Sequence, residues 1–326
     1  MRLGWTPVRP IRCEGTAHRL LRWPIPRIPE LVARTKSHLG GLLAGVLGGA
    51  FLGDDGAPVP GSDLVASTDA ILPAMVERDP EWAGWCGMLV TAHDLAAMGA
   101  RPVGALDVLG ARDAEHAARV MSGLRAGAEA FSLPVLGGHT QLGVAGALGV
   151  TGLGRTTDPV PAGGARAGDE LQITADLAGG WRPSYGRTQW DSSCWRSREE
   201  LRAMLDAVSV ARPRAAKDVS MAGIAGTAAM LAEACGCGAE LEVARIPRPR
   251  GIAGGDWLTC FPGFAMVTAD RPGAPQLPAQ PATTAACGRL TPGAGVRLRW
   301  PDGEVTTALA GAATNLGPTR DPDTES

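Results

Sequence analysis

Asp79-Pro80 opens a helix and Gly99 closes it, and between them residues Glu81 to Met98 carry only three acidic or basic side chains, Glu81, His93 and Asp94. Asp94 shares a helical row with Val90 one turn before it and Met98 one turn after it. A helix this apolar must sit in a core and takes that carboxylate with it. A buried charge is tolerated when it is paired or bound to a metal, so Asp94 needs a cation: a metal, or an arginine such as Arg101. His93 beside it points to another side of the helix.

Around this helix the chain alternates between strand-like and helical runs. A helical pattern from Pro29 to Leu43 runs into a glycine-rich stretch, Gly40 to Gly53, that ends in Asp54-Asp55-Gly56. Asp63 to Thr68 reads as a strand that delivers Asp69 at its end. Pro102 to Leu109 reads as a strand, Asp113 to Phe131 as a helix, and Pro134 to Leu136 and Val144 to Gly154 as strands. The order β-α-β-α-β-β indicates a mixed α+β layer.

A second set of elements starts at Glu170 to Thr174, after a loop-rich stretch from Gly163 to Asp169. It continues through helices at Glu199 to Ala211 and Ser220 to Ala234, strands at Ala239 to Val243 and Phe264 to Thr268, and a hairpin at Pro301-Asp302-Gly303. Trp181 to Arg198 interrupts this set and reads either as a surface loop or as a binding lid.

A length of 326 residues suits two domains. We expect an extension over 1–30, domains over 31–160 and 161–312, and a disordered tail over 313–326. The net charge of -2 argues against nucleic acid or an anionic membrane as partner and leaves a small-molecule substrate. No run reaches the roughly 20 apolar residues of a membrane span. The 7 cysteines are scattered without a paired CxxC, as in a reducing cytoplasm, with Cys235-Gly-Cys237 read as a helix end.

The chemistry-bearing residues cluster in a few places. Asp54, Asp55 and Asp69 flank the segment before the apolar helix, and oxygen ligands from several carboxylates suit Mg²⁺ bridging phosphates. The glycines before Asp54 allow backbone N–H groups to close over phosphate, although an Asp-Asp pair alone is an ordinary turn. Gly137-Gly138-His139-Thr140 follows a strand; its glycines permit close approach and its hydroxyl suits phosphate or metal. His139 has no second histidine at helical spacing, which argues against zinc. Lys217-Asp218 precedes a helix start, where anions are favoured, and Asp218 there reads equally well as part of the cap. No GxxxxGK[ST], GxGxxG after a strand, or GxSxG is present.

In order along the chain, Gly53-Asp54-Asp55-Gly56, Ser67-Thr68-Asp69, Ala92-His93-Asp94-Leu95-Ala96-Ala97-Met98-Gly99-Ala100-Arg101-Pro102, Gly137-Gly138-His139-Thr140 and Asp218-Val219-Ser220-Met221-Ala222-Gly223 resemble the motifs of the AIR synthase superfamily. That superfamily includes thiamine-monophosphate kinase, selenophosphate synthetase and a hydrogenase-maturation protein. The resemblance, over about residues 39 to 310, implies a two-domain fold with a dimerising N-terminal mixed-sheet domain and a C-terminal α/β domain. It also implies a homodimer that binds ATP and transfers its phosphoryl group to a small metabolite.

By the same resemblance Asp55, Asp69 and Asp94 ligate Mg²⁺ or Mn²⁺. Asp54 and Asp218 support them, and Gly53, Asp54, Gly137, Gly138, His139 and Thr140 shape the nucleotide site, with Asp94, Asp69 and Asp218 catalytic. Gly56, His93 and His139 depart from the usual residues. These departures leave open a non-catalytic nucleotide-binding scaffold in a biosynthetic assembly. Selenophosphate synthesis fits poorly, because Gly40 to Gly53 holds neither cysteine nor lysine. The subgroup resembled most is that of AIR synthase-related bacterial proteins with no assigned substrate.

Overall fold

The computed structural model describes residues 27–43 and 52–319. Most of the expected extension, the glycines at 45, 48 and 49 and the last seven residues lie outside the described residues.

Strand β2 (Leu64–Ile71) shows how the first sheet forms. Val65, Ser67 and Ile71 are buried on one face while Thr68 and Ala70 are exposed on the other, the period-2 pattern of a half-covered sheet. With β1 (Ala57–Pro58), β3 (Arg101–Ala111), β4 (Val135–Leu142) and β5 (Ala147–Arg155) it makes a five-stranded sheet of order β1-β2-β5-β3-β4. β3 and β4 are parallel and the other pairs antiparallel.

Two helices cover the buried face: the apolar helix, here α4 (Pro80–Ala97), and α5 (Ala114–Phe131). α4 is buried nearly all round, which explains why its sequence shows no polar side. α5 starts on an Asp113 cap that accepts from the His116 amide at 2.7 Å. The two helices cross closely because Gly84 and Gly123 have no side chain: a Cβ on Gly123 would lie 1.9 Å from the Glu81 carbonyl oxygen. The other face of the sheet leaves Leu106, Val108 and Leu136 exposed.

The second sheet has seven strands: β6 (Glu170–Ala175), β9 (Ala215–Asp218), β10 (Gly238–Glu242), β11 (Ala265–Asp270), β12 (Thr283–Thr291), β13 (Val296–Arg299) and β14 (Val305–Leu309). Their order is β14-β13-β10-β12-β6-β11-β9. The buried helix α8 (Gly223–Ala234) packs on it, and α1 (Arg27–Thr35) adds Ile28 and Val32 to the same core, although α1 precedes the first sheet in the chain.

Several local expectations need correction. Ser220 to Ala222 is a turn, so Asp218 ends a strand and does not cap a helix. Helix 199–211 is two helices, α6 (Arg198–Leu205) and α7 (Ala207–Ala211), and β12 had no counterpart in the sequence reading. Residues 313–319, expected in a disordered tail, are fixed by Glu233, whose carboxylate accepts from the amides of Ala313, Thr314 and Gly317. Trp181 to Arg198 is a packed connection: β7 (Gly180–Trp181) pairs with β8 (Trp190–Asp191), Gln189 accepts from the Trp82 indole at 2.8 Å, and Arg182 stacks over Trp82. Cys235 sits at the end of α8. Among the described residues no helix is long and apolar enough to cross a membrane.

Candidate functional site

Four aspartates meet from four separate segments. Asp55 follows the turn at Gly53, whose φ of +87° lies in the left-handed region that glycine favours. Asp69 lies in β2, Asp94 in the last turn of α4, and Asp218 at the end of β9. Asp55, Asp94 and Asp218 each present a carboxylate oxygen within 4.8 Å of the other two. Asp69 lies close enough to Asp94 for the two carboxyls to act on each other.

This crowding is costly. Burial, then the charges of Asp69, Asp218 and Asp55, raise the Asp94 carboxyl well above the usual range. Burial and then Asp55 do the same to Asp218, and burial raises Asp69.

Lys217, on β9, is the one cation bound into the cluster among the described residues. Its ammonium donates to the Gly53 carbonyl at 2.8 Å and pairs with Asp55, whose second oxygen accepts from the Asp218 amide at 2.8 Å. Burial acts to lower the Lys217 pKa, but Asp55 and its neighbours outweigh it and the net shift is upward. One ammonium against four carboxylates leaves the cluster negative, and Asp218 Oδ2 is buried with no hydrogen-bond partner. An all-oxygen donor set with excess negative charge fits a hard divalent cation such as Mg²⁺.

The remaining expected site residues fall elsewhere. Asp54 turns away from the cluster: its Oδ1 accepts from the Ala162 amide at 2.8 Å, and burial raises its carboxyl to about 6. It thereby ties the Gly53 turn to the segment that enters the second sheet. Gly137, Gly138, His139 and Thr140 do not follow a strand but lie inside β4, on the far edge of the first sheet. β5 and β3 separate them from β2, a distance of about 14 Å at ordinary strand spacing, so a single chain does not bring them to the aspartates. His93 is buried against Phe131 and Phe264, with ring centroids 6.5 and 5.3 Å away, and burial lowers it to about 3. Arg101 is exposed, and the groups acting on Asp94 are the aspartates Asp69, Asp218 and Asp55.

Two features were missing from the expected site. Asp107 on β3 is buried beneath Gly138, where a Cβ would come within 2.3 Å of its carboxylate; an isolated aspartate in a strand gives no sequence signal. A cavity of about 630 Å³ opens on Asp69, bounded by α1, the 188–189 turn and Ser220-Met221. Of the chain's two lysines, Lys36 lies on its lining.

Comparison with known proteins places this geometry. Residues 53–156 match the N-terminal domain of AIR synthase related protein, and residues 167–297 match its C-terminal domain. The "Uncharacterized protein sll0787" of Synechocystis sp. is 35% identical over 228 residues, which is 68% of this chain and 70% of that protein. The thiamine-monophosphate kinase of Methanospirillum hungatei is 31% identical over 206 residues, 59% of this chain and 68% of that protein. The solved structure of AaThiL complexed with AMPPCP and TMP matches with a TM-score of 0.64 at 22% identity, covering 81% of this chain and 92% of that one; at that identity the likeness is one of fold.

Proposed function

The chain belongs to the AIR synthase related family, and from that premise we propose that it binds Mg-ATP and transfers the terminal phosphoryl group to a small metabolite. The observation that carries this reading is the convergence of Asp55, Asp94 and Asp218 within 4.8 Å, with more negative charge than Lys217 offsets. Asp55, Asp94 and Asp218 hold the cation in this reading, with Asp69 beside Asp94 on the wall of the cavity. This set differs in one member from the trio Asp55, Asp69 and Asp94 that the sequence motifs imply.

When bound, Mg²⁺ supplies neutralisation and orientation of phosphate oxygens. The chain's own groups do the rest. Lys217 fixes the rotamer of Asp55, Asp54 anchors the turn that carries both aspartates, and Asp69 is placed to take the proton of an acceptor hydroxyl. A likeness to AaThiL complexed with AMPPCP and TMP, and a relative that is a thiamine-monophosphate kinase, support nucleotide binding and kinase-type transfer.

A homodimer belongs to the same reading, because the face with Leu106, Val108 and Leu136 is exposed and a second copy burying it would shield these side chains from water. We also place the division between the two domains near residue 160 and the protein in the cytoplasm, in keeping with the six free cysteines among the described residues. The alternative of a non-catalytic scaffold gains nothing from His93, whose ring packs away from the aspartates.

The test is Asp94→Asn in calorimetric titration with Mg-ATP. The variant should fold and lose at least tenfold in affinity; an unchanged dissociation constant removes Asp94 from the cation site.

A further inference from the structure

Of the 31 lysines and arginines in the chain only two are lysine, Lys36 and Lys217. Lys217 is buried and fully committed to Gly53 and Asp55. Lys36 is different. It lies in the turn after α1, half-buried, and makes no ion pair among the described residues. It lines the 630 Å³ cavity with Arg34 and His38 on its own segment and with Asp69 from β2. It shares the cavity wall with Asp69, and its charge acts on both Asp69 and Asp218.

Charge balance says what such a cation is for. Two ammoniums and one divalent cation offset the four carboxylates Asp55, Asp69, Asp94 and Asp218. With all four ionised, as in a metal-loaded site, the site without Lys36 keeps one negative charge, which disfavours an anionic ligand. Arginine, which the chain uses almost everywhere else, would fork onto the nearby carboxylate of Asp69. A lysine is a compact point charge with rotatable donors and stays available to a phosphate.

We propose that Lys36 is the ligand-facing cation of this site: it donates hydrogen bonds to an anionic oxygen, of phosphate or carboxylate, on the molecule that fills the cavity beside Asp69. Arg34 adds a second cation to the same wall and His38 a polar ring, and Leu31, Ile71 and Phe261 give the occupant an apolar bed. The assignment deepens the Mg-ATP reading and rests on it for the cation at the aspartates. The anionic oxygen belongs either to the phosphate chain of the nucleotide or to an acceptor that carries its own anionic group.

The experiment titrates the full chain and its Lys36→Met and Lys36→Arg variants with Mg-ATP, Mg-ADP, pyrophosphate and phenyl phosphate, with thermal midpoints measured to confirm folding. Lys36→Met should weaken at least one probe tenfold or more, with Arg restoring only part of the loss. Loss confined to Mg-ATP, Mg-ADP and pyrophosphate assigns the oxygen to the nucleotide; loss confined to phenyl phosphate assigns it to the acceptor. Constants within twofold of wild type for every probe overturn the proposal, as does full rescue by arginine. A wild-type chain that ignores Mg-ATP yet binds phenyl phosphate through Lys36 would sink the Mg-ATP reading alone.

Discussion

Asp54 separates the tether of the site from the site itself, and Asp54→Asn tests that separation. Its Oδ1 accepts from the Ala162 amide, a bond that asparagine keeps, and burial is the main reason its carboxyl rises from 3.8 to about 6. A shift of that size corresponds to about 3 kcal/mol of preference for the neutral form. Below pH 4 Asp54 is neutral in folded and unfolded chains alike. Between pH 4 and 6 the unfolded chain releases the proton while the folded chain retains it, so stability falls as pH rises, and above pH 6 the full penalty applies. Asparagine removes the titration, at a cost of about 1 kcal/mol for an amide group with no partner where Oδ2 is buried. Chemical denaturation in EDTA should therefore find the variant about as stable as wild type at pH 4.5 and about 2 kcal/mol more stable at pH 7.5. A difference that does not change with pH, or a variant less stable at both values, refutes the assignment of Asp54 as a buried, charge-penalised tether.

Other consequences follow from packing and charge. Gly123→Ala places a Cβ 1.9 Å from the Glu81 carbonyl and should destabilise the fold by about 3 kcal/mol despite its better helix propensity. Gly41→Ala, in helix α2 (Leu39–Leu43) with nothing within 4 Å, should be neutral or stabilising by up to about 1 kcal/mol; equal effects in denaturant titrations would contradict the close crossing of α4 and α5. Lys217→Met strips the cluster of its bound ammonium and should cost about 3 kcal/mol. Its thermal midpoint should rise more steeply with Mg²⁺ than that of wild type, and parallel Mg²⁺ dependences would show that Lys217 does not share charge with the cation site.

Much of this arrangement is legible in the sequence, for reasons specific to each part. Helix α4 announced itself because it is buried all round and flanked by Asp79-Pro80 and Gly99, and Asp94 stood out as a carboxylate in an apolar row. Asp55 follows a recognisable turn; Asp69 reads as the end of a strand, but pairing with β5 carries β2 through it to Ile71. Asp218 was harder: the residues after it are small and helix-compatible, so sequence pattern carried the helix back to Ser220, while backbone pairing with Met266 keeps 215–218 in a strand. The Gly137 to Thr140 segment was placed after a strand because glycines weaken strand propensity, yet parallel pairing with β3 carries the strand through them. No local signal shows that β4 lies three strands from β2, since sheet order is a property of long-range pairing. Trp181 to Arg198 reads as a loop or a lid because its partners, Trp82, Asp79 and Trp257, are distant in the chain.

The central claim is that the aspartates hold a metal–nucleotide complex. A thermal-shift titration of the wild-type chain with ATP, ADP and AMP, each with and without Mg²⁺, tests it most directly, because a ligand that binds only the folded state raises the midpoint. The account predicts a concentration-dependent rise with ATP that requires Mg²⁺ and fades with AMP. A midpoint that stays fixed with every nucleotide, or an ATP response indifferent to Mg²⁺, contradicts it.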